Sequence, residues 1–139
     1  MELVLVMVLL GILSVFALPR FFDLGAYKER GFFDETLNAV RYAQKLAVAR
    51  GCPVRVRFSS HGYSLHQPQP DCGSSSFASL PDSYPVSSNA ESAVSISLSS
   101  GANNATFDAL GRASRNMTVT VGSRSFGIVQ ETGFVDPGS

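Results

Sequence analysis

The sequence predicts an α+β fold in which a long N-terminal helix, apolar in its front half and amphipathic in its rear half, packs on an antiparallel β-sheet domain. Three observations carry that expectation. Leu3 to Leu18 is a run of sixteen residues without a charge. Arg20 to Arg50 is free of proline and sets apolar side chains at helical spacing. From Val54 onward, short segments alternate apolar and polar residues with period two, separated by Gly, Ser and Pro. A chain of 139 residues, 45% of them hydrophobic, is about one domain and can bury a modest core.

One acid, Glu2, stands at the outer edge of the apolar run. A helix of this length is about 24 Å long, short of the roughly 30 Å hydrocarbon layer of a bilayer, yet able to anchor a chain. An ionised carboxylate at hydrocarbon depth costs about 2.5 kcal/mol or more unless a partner neutralises it. Glu2 therefore asks for a cation. Three readings compete for the segment. A cleaved secretory signal would open with Lys or Arg and close on small residues, whereas here an acid leads and Ala17-Leu18-Pro19 follows. An ordinary single-pass anchor is the second reading. The third is a helix that serves assembly, and it depends on what comes next.

No linker separates the apolar run from the following pattern. Phe33, Leu37, Val40, Gln44 and Ala47 share one helical face, which Phe32, Ala39, Ala43 and Leu46 widen. Lys28, Arg30, Glu35, Arg41 and Lys45 are placed to meet water. Gly51 then supplies a stop, with Cys52-Pro53 behind it. Residues 1–50 read as one long helix, divided into an apolar membrane half over 1–22 and a head over 23–139. Pro19 removes a backbone donor and its ring clashes with the carbonyl four residues earlier, so a kink is expected between Ser14 and Pro19. The alternative is that Pro19 ends the first helix and begins a turn.

The β region follows in order. Val54-Arg55-Val56-Arg57-Phe58 alternates, Ser59-Ser60-His61-Gly62 makes a turn, and Tyr63-Ser64-Leu65-His66 alternates again, which is a hairpin. Val94, Ile96 and Leu98 share one face of a strand over 93–99, and shorter strands are expected at 105–109 and 117–121. Thr118 to Gln130 reads as a second hairpin turning near Gly122-Ser123. Gln67 to Ser92, rich in Ser and Pro, is expected to be a loop.

Formal net charge is zero, but residues 1–57 carry eight Lys or Arg against five acids while residues 58–139 carry three against six. No basic tract suited to strong nucleic-acid binding appears. Cys52 and Cys72 flank the first hairpin. Behind an anchor, on the oxidising side of a membrane, such a pair is expected to form a disulfide, the alternative being two reduced cysteines that only pack. Catalytic constellations are hard to find. His61 and His66 have no Cys or carboxylate at a zinc-like spacing, and neither a Gly-x-Ser-x-Gly elbow nor a phosphate loop occurs. The sequons at Asn104 and Asn116 matter only in a cell that glycosylates them. No catalytic residue, metal or cofactor is expected, and the chain is not expected to be an enzyme.

Glu2 opening an apolar helix, Pro19 seventeen residues later, an amphipathic continuation to Arg50 and an all-β remainder resemble a type IV pilin or a type II secretion pseudopilin. The resemblance covers the whole chain. Leu37 to Val56, LNAVRYAQKLAVARGCPVRV, is similar to the GspH/FimT-type minor pilins, whose first helix ends in an A-x-x-x-A-x-x-R-G-like pattern before a strand. Thr106-Phe107-Asp108-Ala109-Leu110-Gly111 looks like their F-x-x-x-G turn, and Arg124 to Val135 like their closing strands with T-G-x-V. The cysteine pair and the serine-rich loop look most like the C-type minor pilins of the mannose-sensitive haemagglutinin (MSHA) system.

The resemblance implies a type IV pilin-like fold and a structural role as an initiating or capping subunit of a fibre. It implies a single-pass protein of the inner membrane with a periplasmic head, whose partners are other pilin or pseudopilin subunits and the assembly platform. Glu2 would dock on the amino terminus of a neighbouring subunit, the cation that its burial requires. Members of the class open with a basic leader, a glycine at the cleavage point and an N-methylated residue. Here Met1 directly precedes Glu2, so the expectation is a start assigned too late or a truncated copy, decided by the upstream nucleotide sequence. Three alternatives remain: a minor pseudopilin of a type II secretion system, a DNA-binding minor pilin using Arg112, Arg115 and Arg124, and a tip adhesin using Phe77 and Tyr84 of the loop on a glycan. Of the possible partners, DNA and glycan are the ones not expected.

Overall fold

A computed structural model describes residues 2–17 and 24–138. Two helices, α1 (Glu2–Ala17) and α2 (Leu24–Arg50), precede nine strands: β1 (Val54–Ser59), β2 (Gly62–Pro68), β3 (Phe77–Ser79), β4 (Ser88–Ala90), β5 (Ile96–Leu98), β6 (Asn104–Phe107), β7 (Met117–Val121), β8 (Arg124–Ile128) and β9 (Val135–Asp136). The α+β prediction holds: α2 packs on two antiparallel sheets. The expected single helix over 1–50 passes through residues outside the described ones, as do the kink at Pro19 and the boundary at 22–23.

The amphipathic half of the helix forms as its spacing requires. Phe32, Phe33, Thr36, Leu37, Ala39, Val40, Ala43 and Ala47 are buried on one face, and the helix ends at Gly51, whose φ of 65° only glycine adopts readily. The Cys52 N–H then reaches back to the Ala47 carbonyl at 3.2 Å. Adjacent residues of α2 serve different sheets. Phe32 stacks on Tyr63 of β2 with ring centroids 6.3 Å apart, and Phe33 meets Phe126 of β8 edge-on at 5.8 Å. The helix is thus the common wall of both sheets.

The first sheet runs β3-β2-β1-β6, and β4 shares the outer edge of β2 with β3. Its centre is the expected hairpin of β1 and β2, paired from Arg55↔His66 to Ser59↔Gly62. The second runs β5-β7-β8-β9 and contains the expected hairpin turning at Gly122-Ser123. Inward residues of both sheets, among them Val54, Val56, Leu65, Phe107, Val119, Val121 and Phe126, join the α2 face in one core. A side chain of Val or Phe size buried there stabilises the fold by about 1.5–3 kcal/mol.

Three expectations need correction in detail. The loop over 67–92 contains β3 and β4, strands of three residues each, too short for alternation to show and, apart from Phe77, built of residues with weak strand preference. The strand expected over 93–99 pairs only over Ile96–Leu98; Val94 is buried but belongs to a turn closed by its N–H on the Glu91 carbonyl at 3.1 Å. The strand expected at 105–109 is β6, ending at Phe107, because the Asp108 carboxylate accepts the N–H groups of Leu110 and Arg112, both at 2.9 Å, and turns the chain.

Candidate assembly interface

Helix α1 is apolar on every side, and its large side chains from Leu3 to Leu13 are 49–69% exposed. A helix of that composition is stable only where lipid or other apolar helices cover it. It spans 16 residues, and no helix among the described residues is long and apolar enough to cross a membrane by itself. Glu2 occupies its first turn, exposed, where the helix dipole favours a carboxylate. Pro19 lies outside the described residues.

The head adds a second apolar surface at the C-terminal end of α2. Val48, Leu110 and Phe134 are exposed by 52, 75 and 57%. They come from segments that touch: a Cβ placed on Gly111 would lie 3.0 Å from Val48 Cγ2. Gln44 explains how the segments are gathered. Its Nε2 donates to the carbonyls of Gly111 at 3.0 Å and Thr132 at 3.1 Å, so a polar residue on the apolar helical face ties down both loops. A polar residue on a buried face signals a specific partner; the partner itself has no sequence signal.

Other polar contacts fix α2 to the strands. Glu35 accepts the Tyr63 hydroxyl at 2.9 Å and the Asn89 amide at 2.6 Å. Burial first, and then Glu35, push the Tyr63 hydroxyl well above its usual range. Cys52 and Cys72 form a disulfide with Cα atoms 5.1 Å apart, which ties the end of α2 to the segment after β2.

The three arginines named for DNA do not converge. Arg115 precedes β7 while Arg124 pairs with Val121 at its far end, a separation of about six residues of strand, or roughly 20 Å. Arg112 is held by Asp108 at 2.9 Å, and the Arg124 guanidinium lies 5.7 Å from the Phe33 ring centroid. Phe77 is covered by the Arg55 guanidinium, and Tyr84 packs half-buried against the core. His61 bonds Ser60 and His66 bonds Ser64; no group of three metal-ligating side chains occurs among the described residues.

A helix laid across two small antiparallel sheets is a pilin-like fold. The family of Type II transport protein GspH matches residues 34–132, and the chain belongs to that family. No curated protein sequence matches it significantly. Among solved structures, it is similar to the type IV minor pilin FimU of Pseudomonas aeruginosa, at 14% identity with a TM-score of 0.61 over 82% of this chain and 90% of that one. It is similar to the minor pseudopilin EpsH from the type 2 secretion system of Vibrio cholerae, at 12% identity with a TM-score of 0.58 over 83% and 98%. It is also similar to E. coli GspH, at 17% identity with a TM-score of 0.57 over 80% and 88%. At these identities the likeness establishes the fold.

Proposed function

We propose that the chain is a minor subunit of a type IV pilus of the MSHA kind, initiating or capping a fibre. Its N-terminal segment is held in the inner membrane, with the head in the periplasm, until the subunit is drawn into the fibre. The role is structural, with no catalytic step and no cofactor. One observation carries it: α1 exposes large apolar side chains all round behind a single acid. Packed among like helices, that surface loses its contact with water, and burial favours it by about 25 cal/mol per Å². Glu2 then docks on the amino terminus of a neighbouring subunit, which offsets much of the cost of burying its charge.

The disulfide and the serine-rich segment support the MSHA kind. Membership of a family described as type II transport proteins supports a second reading, a minor pseudopilin of a type II secretion system. Deleting the gene separates them. Loss of pilus-dependent haemagglutination with intact secretion supports the first, and blocked secretion with intact pili supports the second. For docking, Glu2→Ala expressed from the native locus is expected in the membrane fraction but not in sheared fibres. Normal incorporation of that variant refutes the role of Glu2.

A further inference from the structure

Strand β1 turns Val54, Val56 and Phe58 inward and Arg55 and Arg57 outward. Pairing puts His66 and Thr106 on either side of Arg55, and Ser64 and Asn104 on either side of Arg57. Directly paired residues share a face of the sheet. Arg55, Arg57, His66, Phe77, Asn103 and Asn104 line a cleft of about 170 Å³ there, room for about five or six waters. Every polar side chain in that lining can donate a hydrogen bond, and none is an acid.

The cleft is built rather than incidental. The Arg55 guanidinium lies 3.7 Å from the Phe77 ring centroid and uses its Nε on Thr106 Oγ1 at 3.2 Å. Its two Nη groups have no protein acceptor among the described residues, and no carboxylate there pairs with either guanidinium. His66 Nε2 lies 2.9 Å from Ser64 Oγ. Burial, with Arg57 and Arg55, lowers its pKa, so near pH 7 the imidazole is neutral and the cleft carries two positive charges. These stand on a head whose residues 58–139 hold three bases against six acids. Two unneutralised guanidiniums in one cleft repel each other unless an anion lies between them.

We propose that this cleft binds a doubly charged oxyanion headed by a phosphate group, either free or carried as a monoester at the end of a larger molecule. Two guanidiniums balance its two charges, and their planar forks match its oxygens in bidentate fashion. The Asn103 and Asn104 amides supply neutral donors. The volume suits one head group, and an internal phosphodiester of a nucleic acid, with one charge, would leave a guanidinium unbalanced.

The test uses the full chain in uncharged maltoside micelles, following the arginine Nε–H and His66 ring signals by NMR. Sulfate and inorganic phosphate are expected to saturate a single site, while acetate at equal ionic strength is not. Arg57 makes no side-chain hydrogen bond among the described residues and is exposed, so Arg57→Gln is expected to keep the fold and weaken sulfate binding at least about tenfold, the equivalent of one charge-assisted hydrogen bond. Arg55→Lys keeps the charge but loses the fork and is expected to weaken it less than Arg55→Gln.

Sulfate keeps its charge across pH, so its affinity is expected to rise as pH falls through the His66 titration, an effect absent in His66→Gln. The charged groups acting on His66 are Arg55 and Arg57 of β1, and β3 contributes only Ser79 and Phe77 beside it. Phosphatidic acid added to the micelles either competes with phosphate, which supports a lipid-borne group, or does not, which supports a soluble one. The proposal is overturned by shifts that never saturate, by an equal response to acetate, or by sulfate binding unchanged in Arg57→Gln. An oligonucleotide without a terminal phosphate that binds more tightly than sulfate through Arg57 overturns it as well.

Discussion

Gly133 lies directly against the backbone of Gly111, so close that a Cβ on Gly133 would collide with the Gly111 carbonyl oxygen and approach Gln44 Nε2 to 2.7 Å. Both glycines have positive φ, 65° and 81°. The contact joins the turn after β6 to the turn before β9, two segments that the F-x-x-x-G and T-G-x-V patterns mark separately.

Gly133→Ala is therefore expected to be among the most damaging single-methyl changes in the head. The left-handed backbone alone costs about 1–2 kcal/mol for a residue with a Cβ. The collision adds more, because it is with backbone and no rotamer relieves it. A total above about 3 kcal/mol corresponds to a fall in Tm of roughly 12 °C or more for a domain of this size. Gly101→Ala is the control: its φ is 67° but nothing lies within 4 Å of the added Cβ, so it is expected to cost only the conformational part. Equal melting temperatures for the two variants would show that the Gly111 contact is not tight.

That contact shows where sequence reading stops. The amphipathic face of α2, its stop at Gly51 and both hairpins are local, written in spacing and turn chemistry, and they are legible. The meeting of Gly111 with Gly133 depends on how two loops close over Gln44, which no periodic signal records. Strands β3 and β4 escape for another reason, being three residues long. Arg55 and Arg57 are legible as outward residues of a strand, but the cleft they line is set by register against β2 and β6 and by Phe77 from a segment that reads as loop. The leading acid and apolar run of α1 are legible because they are contiguous.

Gln44→Leu keeps the size and apolar fit of α2 but removes the donor to the Gly111 and Thr132 carbonyls. Leaving the partly buried Gly111 carbonyl unpaired, together with the exposed Thr132 carbonyl, is expected to cost about 1–3 kcal/mol. Gln44→Glu should cost more, since it places a carboxylate against two carbonyl oxygens. Denaturant titration of both variants checks the order. A neutral Gln44→Leu would mean that water replaces the amide.

The disulfide is expected to matter for stability. Cys52 and Cys72 are 20 residues apart in sequence, and closing a loop of that length stabilises a fold by roughly 3 kcal/mol in the chain-entropy model. Cys52→Ser with Cys72→Ser should lower the unfolding midpoint accordingly. Mass spectrometry of envelope-derived protein without reductant should find no free thiol. Two free thiols there would contradict the bond.

Acid should loosen the hold of α2 on the second sheet. Glu29 of α2 accepts the Ser123 hydroxyl and the Ser123 backbone N–H, the latter at 2.8 Å, at the turn between β7 and β8. The hydroxyl bond first, then the backbone bond, outweigh a burial effect of opposite sign and, with Arg124, hold the carboxyl below its usual value. A carboxyl depressed in the folded state binds its proton less readily there than in the unfolded chain, where glutamate titrates near about 4.3. Its contribution is then complete above that value and fades as pH falls through the lower folded one. Glu29→Gln should melt below the parent at pH 7, and the difference should shrink as pH drops below about 4. Asp108 adds to the parent's loss of stability in acid, since burial raises its pKa but the hydrogen bonds from Arg112 and Leu110 lower it further. It is present in both proteins and cancels in the comparison. Melting temperatures that stay a constant distance apart from pH 7 to pH 3 would show that the Ser123 bonds do not depend on the charge of Glu29.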